Sequence, residues 1–161
     1  MATEGLVVFS PNRGATVSEF DFGDRRQVWA ARAVVEPGAA RLAADTRDPA
    51  MIGRMRDAIA RRREVGNDPD ASSSANREFH LALAAASGNP HLKRFVEMLW
   101  VPGIGVTDDE IRTGQPSHEM LSPAGDHERI LDAVCADDAT LAEHLTRNHV
   151  AAYPPLPPAP G

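Results

Sequence analysis

The sequence predicts an all-α fold, a bundle of about six or seven helices preceded by a short β-hairpin, and three observations carry that expectation. Apolar residues recur at three- and four-residue steps over most of the chain from Asp24 to Ala152. Helix-start and helix-stop residues punctuate the pattern at Asp48-Pro49, Gly66-Asn67, Gly88-Asn89-Pro90 and Asp138. β-prone runs are confined to the stretch from Gly5 to Phe20.

That stretch holds Leu-Val-Val-Phe, a turn-rich Ser-Pro-Asn-Arg-Gly and Ala-Thr-Val, which together predict a small hairpin. From Asp24 the period becomes helical, with Val28, Ala31, Val35, Ala39, Leu42 and Ala43 on one stripe. Pro37 and Gly38 interrupt it and predict a kink or break. Asp48-Pro49 opens a second helix with Met51, Ile52, Met55 and Ile59 as its buried stripe, ended by Gly66-Asn67. A third, from about Asp70 to Ser87, is apolar almost all round and suits a central position. Pro90 starts a fourth with Leu92, Phe95, Val96 and Leu99 as core. Six Pro and Gly residues between Pro102 and Pro123 predict a long loop with one helical turn. Helical period returns over about Pro123 to Ala136 and Asp138 to Ala152, with Leu141, Ala142 and Leu145 expected inward. Pro154-Pro155-Leu156-Pro157-Pro158 predicts an extended or disordered tail.

The 161 residues suffice for one domain with a sizeable core. Hydrophobic residues at 42% and charged residues at 25% match ordinary soluble proteins, and no apolar run nears the roughly 18 residues of a membrane span. No signal peptide is evident, and the lone Cys135 predicts a reduced, cytoplasmic thiol. A net charge of −6 argues against strong nucleic-acid binding by this stretch itself. The densest cationic run, Arg61-Arg62-Arg63, reads as the solvated end of a helix.

Chemistry concentrates in four positions. Asn76 and His80 are an i,i+4 pair on one helix face, while His127 and His149 lie on or beside the inward stripes of two other helices. Burying three unpaired imidazoles would cost roughly 1–3 kcal/mol apiece, a cost that a shared metal ion removes. Three imidazole nitrogens and an amide oxygen suit Zn²⁺, Ni²⁺ or a similar divalent ion. His91, His118 and His144 lack this placement and read as surface residues. Arg32 and Glu36 form another i,i+4 pair, either a surface ion pair or a guanidinium turned into the bundle to grip a carboxylate.

Arg32-x-x-Val35-Glu36, Asn76-x-x-Phe79-His80, Ser87-Gly88-Asn89-Pro90-His91-Leu92, His127-x-x-Ile130-Leu131, and Asp138 with Ala142 and His149 recur in order over residues 24 to 152. This series resembles the ligand-binding C-terminal (FCD) domain of FadR-type GntR-family transcription regulators. Glu4-Gly5-Leu6-Val7 and Pro11-Asn12-Arg13-Gly14-Ala15-x-Val17 resemble the wing hairpin of the family's winged helix-turn-helix domain.

The resemblance implies a wing remnant over 1–20, an effector-binding antiparallel helical domain over 21–153, and a Pro-rich tail over 154–161. It implies Asn76, His80, His127 and His149 as metal ligands, Arg32 as contact for a small carboxylate metabolite, and a homodimer. The recognition helix would precede Met1, leaving Arg13 of the wing as the remaining DNA contact. Where the family most often has aspartate this chain has Asn76, which keeps an oxygen but removes its charge.

Two other functions compete with a metal-containing, effector-sensing regulatory domain. A metalloenzyme would use the three-histidine site, but no His-Glu-x-x-His helix is present, and Glu78 and Glu128 are the nearest candidate bases. A metal-free helical dimerisation module would merely pack the histidines.

Overall fold

The structure, a computed structural model, describes residues 7–10, 14–17, 22–65, 68–100 and 124–152. Strands β1 (Val7–Ser10) and β2 (Gly14–Val17) pair antiparallel, Val7 opposite Val17 and Ser10 opposite Gly14. Six helices follow: α1 (Phe22–Thr46), α2 (Pro49–Glu64), α3 (Pro69–Ala86), α4 (Pro90–Leu99), α5 (Ala124–Cys135) and α6 (Ala139–Ala151). The expected loop between Pro102 and Pro123, the tail, Gly66-Asn67, His118 and Arg13 lie outside the described residues.

Local sequence sets the helix starts. Asp48, Asp68 and Asn89 each accept two backbone N–H bonds from the turn that follows, and a proline occupies the first position of α2, α3 and α4. Proline loses nothing there, because that N–H has no intrahelical partner. Asp138 caps α6 through Leu141 N at 2.9 Å. Gly88, at φ +68°, makes the left-handed turn that ends α3.

Several expectations need correction. Helix α1 runs through Pro37 and Gly38 as one element, so of the expected kink or break the break does not occur. Pro37 is fully buried, and α1 packs along α6 while also meeting α3, α4 and α5. Packing against these four helices holds α1 where one backbone donor is missing. Leu42, Phe95 and Leu141, expected inward, are 37%, 52% and 42% exposed. Each sits at the margin of its apolar stripe, where no described neighbour covers it. Arg61 to Arg63 do form the basic last turn of α2, as expected, and the exposed Arg61 and Arg63 also pair with Glu78 on α3 and Glu128 on α5.

The core has two parts. Ala40, Ala43 and Ala44 of α1 pack against Met55 of α2, Phe79 and Leu83 of α3, Ile130 and Val134 of α5, and Ala142 of α6. Alanine at the α1 positions lets neighbouring backbones approach closely. The second part gathers Val28, Ala39, Ala84, Val96 and Trp100. Among the described residues no helix is long and apolar enough to cross a membrane.

Candidate metal centre

Four helices carry seven buried polar side chains, of which Arg32, Glu36, His80, His127 and His149 form one connected cluster. Helix α3 supplies Asn76 and His80 one turn apart, α5 supplies His127, and α6 supplies Thr146 and His149. Arg32 and Glu36 come from α1. All seven are buried.

The three imidazoles converge through their Nε2 atoms. His149 Nε2 lies 3.1 Å from His127 Nε2 and 3.3 Å from His80 Nε2. The ligand atoms of the three residues all fall within 4.8 Å of one another. Two nitrogens bound at 2.0–2.1 Å to one zinc stand about 3.0 Å apart at a right angle and about 3.4 Å apart at the tetrahedral angle. Both close separations fall in that interval. Phe79 stacks on His127 with centroids 4.0 Å apart, and Trp100 lies 5.3 Å from His80. Aromatic walls therefore fix the ring planes.

Burial drives the basicity of two of these rings down. It holds His127 well below the usual histidine range, with the neighbouring His149 and His80 adding to the effect. Burial likewise pushes His149 down to about 3, the neighbouring His80 adding while Asp126 and Glu36 oppose. Neutral imidazole is the form a metal ion requires.

Behind the imidazoles stand carboxylates. Glu36 Oε2 is 2.5 Å from His80 Nδ1, and Glu36 Oε1 accepts from Arg32 Nε at 2.6 Å. Burial would raise this carboxyl, but the Arg32 charge, with the electrostatic and hydrogen-bond pull of His80 beside it, outweighs it and brings the pKa to about 2. Asp126 Oδ2 stands 3.6 Å from His149 Nδ1.

Arg32 is fully buried, its guanidinium 4.0 Å from the Trp29 ring and 3.9 Å from the Trp100 ring. These are the chain's only two tryptophans. Among the described residues, Arg32 Nη1 and Nη2, Trp100 Nε1 and Thr146 Oγ1 are buried without a hydrogen-bond partner. Such donors are costly to leave unsatisfied, and several in one region suit an anionic ligand. Asn76 is buried one turn before His80, with its Oδ1 3.4 Å from Arg62 Nη1.

Sequence reasoning thus named the three histidines that meet; the i,i+4 pair of Arg32 and Glu36 is present and, rather than lying on the surface, is buried. Sequence reasoning missed Glu36 as the partner of His80, since those residues are 44 positions apart. It also missed the aromatic clamp, although Trp29 stands three residues before Arg32 on the same helix face. His91 and His144 are exposed, as expected. Glu78 and Glu128, occupied by Arg61 and Arg63, supply no base to the cluster.

This arrangement, a buried polar centre inside a helical bundle, defines a ligand-binding domain. Residues 27–152 match the FCD domain family. An HTH-type transcriptional regulator in an unstable DNA locus of Streptomyces ambofaciens is 31% identical over 155 residues, covering 94% of this chain and 63% of that protein. The HTH-type transcriptional regulator LutR of Bacillus subtilis (strain 168) is 29% identical, covering 91% of this chain and 74% of LutR. The solved structure of E. coli McbR/YncC superposes with a TM-score of 0.71 at 20% identity, covering 91% of this chain and 69% of that one. The chain belongs to the FCD-domain family of GntR-type transcription regulators. Family and relatives are regulators, not enzymes. The chain spans under two thirds of the Streptomyces protein's length.

Proposed function

We propose that this domain senses a small carboxylate at a divalent metal held by His80, His127 and His149. The observation that carries the reading is the pair of buried Arg32 amino groups, unpartnered among the described residues, on the guanidinium that Glu36 links to His80 of three converging imidazoles. Three neutral nitrogen ligands leave coordination positions open, and Zn²⁺ or Ni²⁺ fits that donor set. The metal, when bound, would act as a Lewis acid toward a ligand oxygen. Arg32 would take the carboxylate with its two terminal amino groups, a fork suited to that geometry. Asn76 Oδ1 is the proposed fourth ligand. Its neutrality leaves the centre more positive than an aspartate would, which favours an anionic effector.

In the full regulator, effector binding would change how a homodimer presents its DNA-binding domains, a coupling between two sites. The paired strands β1 and β2 are read as part of the wing of such a domain, with Arg13 as its DNA contact. DNA is the partner of the whole protein, and the cytoplasm its compartment.

Both tryptophans flank Arg32, so intrinsic fluorescence tests the reading. Zinc-loaded protein titrated with a panel of small mono- and dicarboxylates should show saturable quenching by at least one, lost in Arg32→Met. Unchanged emission across the panel, or equal quenching in the variant, counts against it.

A further inference from the structure

Glu36 touches both halves of the centre at once. Its Oε1 accepts from Arg32 Nε at 2.6 Å and its Oε2 faces His80 Nδ1 at 2.5 Å, with Arg32, Glu36 and His80 all excluded from solvent. Accepting at both oxygens, Glu36 requires the proton of a neutral His80 on Nδ1. Nε2 of His80 is then bare and aimed at His149 Nε2, 3.3 Å away.

We propose that Glu36 is a positioning residue that, anchored on Arg32, fixes the His80 tautomer so that Nε2 is the nitrogen offered to metal. This rests on the metal-centre reading above. A carboxylate behind a ligating imidazole also raises the ring's basicity and holds its orientation. The same side chain that orients Arg32 toward an anion therefore orients His80 toward the metal, and by linkage each ligand's affinity depends on the other.

Glutamine at this position separates orientation from bulk. Arg32 Nε only donates, so a glutamine must turn its oxygen to Arg32 and its NH₂ to His80. Nδ1 of His80 then has to accept, and the proton moves to Nε2, the wrong tautomer for the metal. Glu36→Gln should therefore flip His80 from the Nδ1–H to the Nε2–H form, read in long-range ¹H–¹⁵N histidine spectra of zinc-free protein. Zinc affinity, measured by competition with a chelator, should fall roughly 10- to 100-fold. A merely structural role for Glu36 would leave the tautomer unchanged.

If Glu36→Gln binds zinc as tightly as the wild type, or His80 keeps its tautomer, the proposal is overturned while the metal centre stands. If wild-type protein binds no stoichiometric zinc yet the tautomer switches, the metal reading fails and Glu36's control of His80 survives. Should Glu36→Gln not fold by far-UV circular dichroism, the wild-type spectrum alone decides: Nδ1–H supports the proposal and Nε2–H refutes it.

Discussion

At the scale of single residues, the three histidines differ from Asn76 in what their removal should do. Replacing His80, His127 or His149 with alanine takes away one of three converging nitrogens, and we expect each variant to lose stoichiometric metal in elemental analysis after dialysis. Asn76→Asp adds a negative charge beside the ion, so its zinc affinity should rise by chelator competition; unchanged affinity would remove Asn76 from the ligand set. Phe79 is fully buried and stacked on His127, so Phe79→Ala should cost about 3–5 kcal/mol in urea denaturation. A loss under about 1 kcal/mol would mean that the surrounding helices collapse around the vacated space. The histidines were legible because each stands on an inward helical stripe. Glu36's hold on His80 was not, because helical period identifies a face and never its partner in another helix.

Acid should loosen the metal-free domain in a defined window. The folded pKa of His149 is depressed from 6.5 to about 3, and that of His127 also falls below 6.5. The unfolded chain then binds more protons than the folded one below about pH 6.5, so stability present above that pH is lost as pH falls. Glu36, depressed from 4.5 to about 2, adds a loss in the same direction below about pH 4.5. Melting temperature should therefore fall steadily from pH 7 to pH 4; a flat profile would mean that the histidines are not buried neutral.

At the scale of elements, the caps were the most legible feature because their chemistry is local. Asp48 accepts from Ala50 N at 2.8 Å and Met51 N at 3.3 Å. Asp48→Ala should cost about 1 kcal/mol of stability, read as a lowered denaturation midpoint. Side-chain exposure was less legible. Phe95 and Leu141 belong to apolar stripes by spacing, yet the width of the stripe a neighbouring helix covers depends on packing that one helix's sequence does not encode. Pro37 carries the same lesson in reverse. Its local penalty predicted a kink or a break, and the packing of α1 against four other helices keeps the helix unbroken there. The Arg61 to Arg63 run read as a solvated terminus, and its partners, Glu78 and Glu128, were not legible because they arrive from other helices.

At the scale of the molecule, the four helices that hold the centre are otherwise joined by an alanine-rich core, so a metal bound among them would link α3, α5 and α6 directly. Anything that binds the folded state alone raises its stability by mass action. With free zinc about a hundredfold above its dissociation constant, unfolding should cost about 2.7 kcal/mol more than in chelator. The increment should vanish in His127→Ala.

The central claim, a metal ion held by three imidazoles inside the bundle, is tested most directly by X-ray absorption at the zinc edge on protein loaded with one equivalent of zinc. We predict a first shell containing three imidazole nitrogens at about 2.0–2.1 Å, replaced in His149→Ala, which holds no stoichiometric zinc, by the spectrum of zinc in buffer. A shell of oxygen ligands alone in the wild type, or a spectrum identical in the variant, would contradict it.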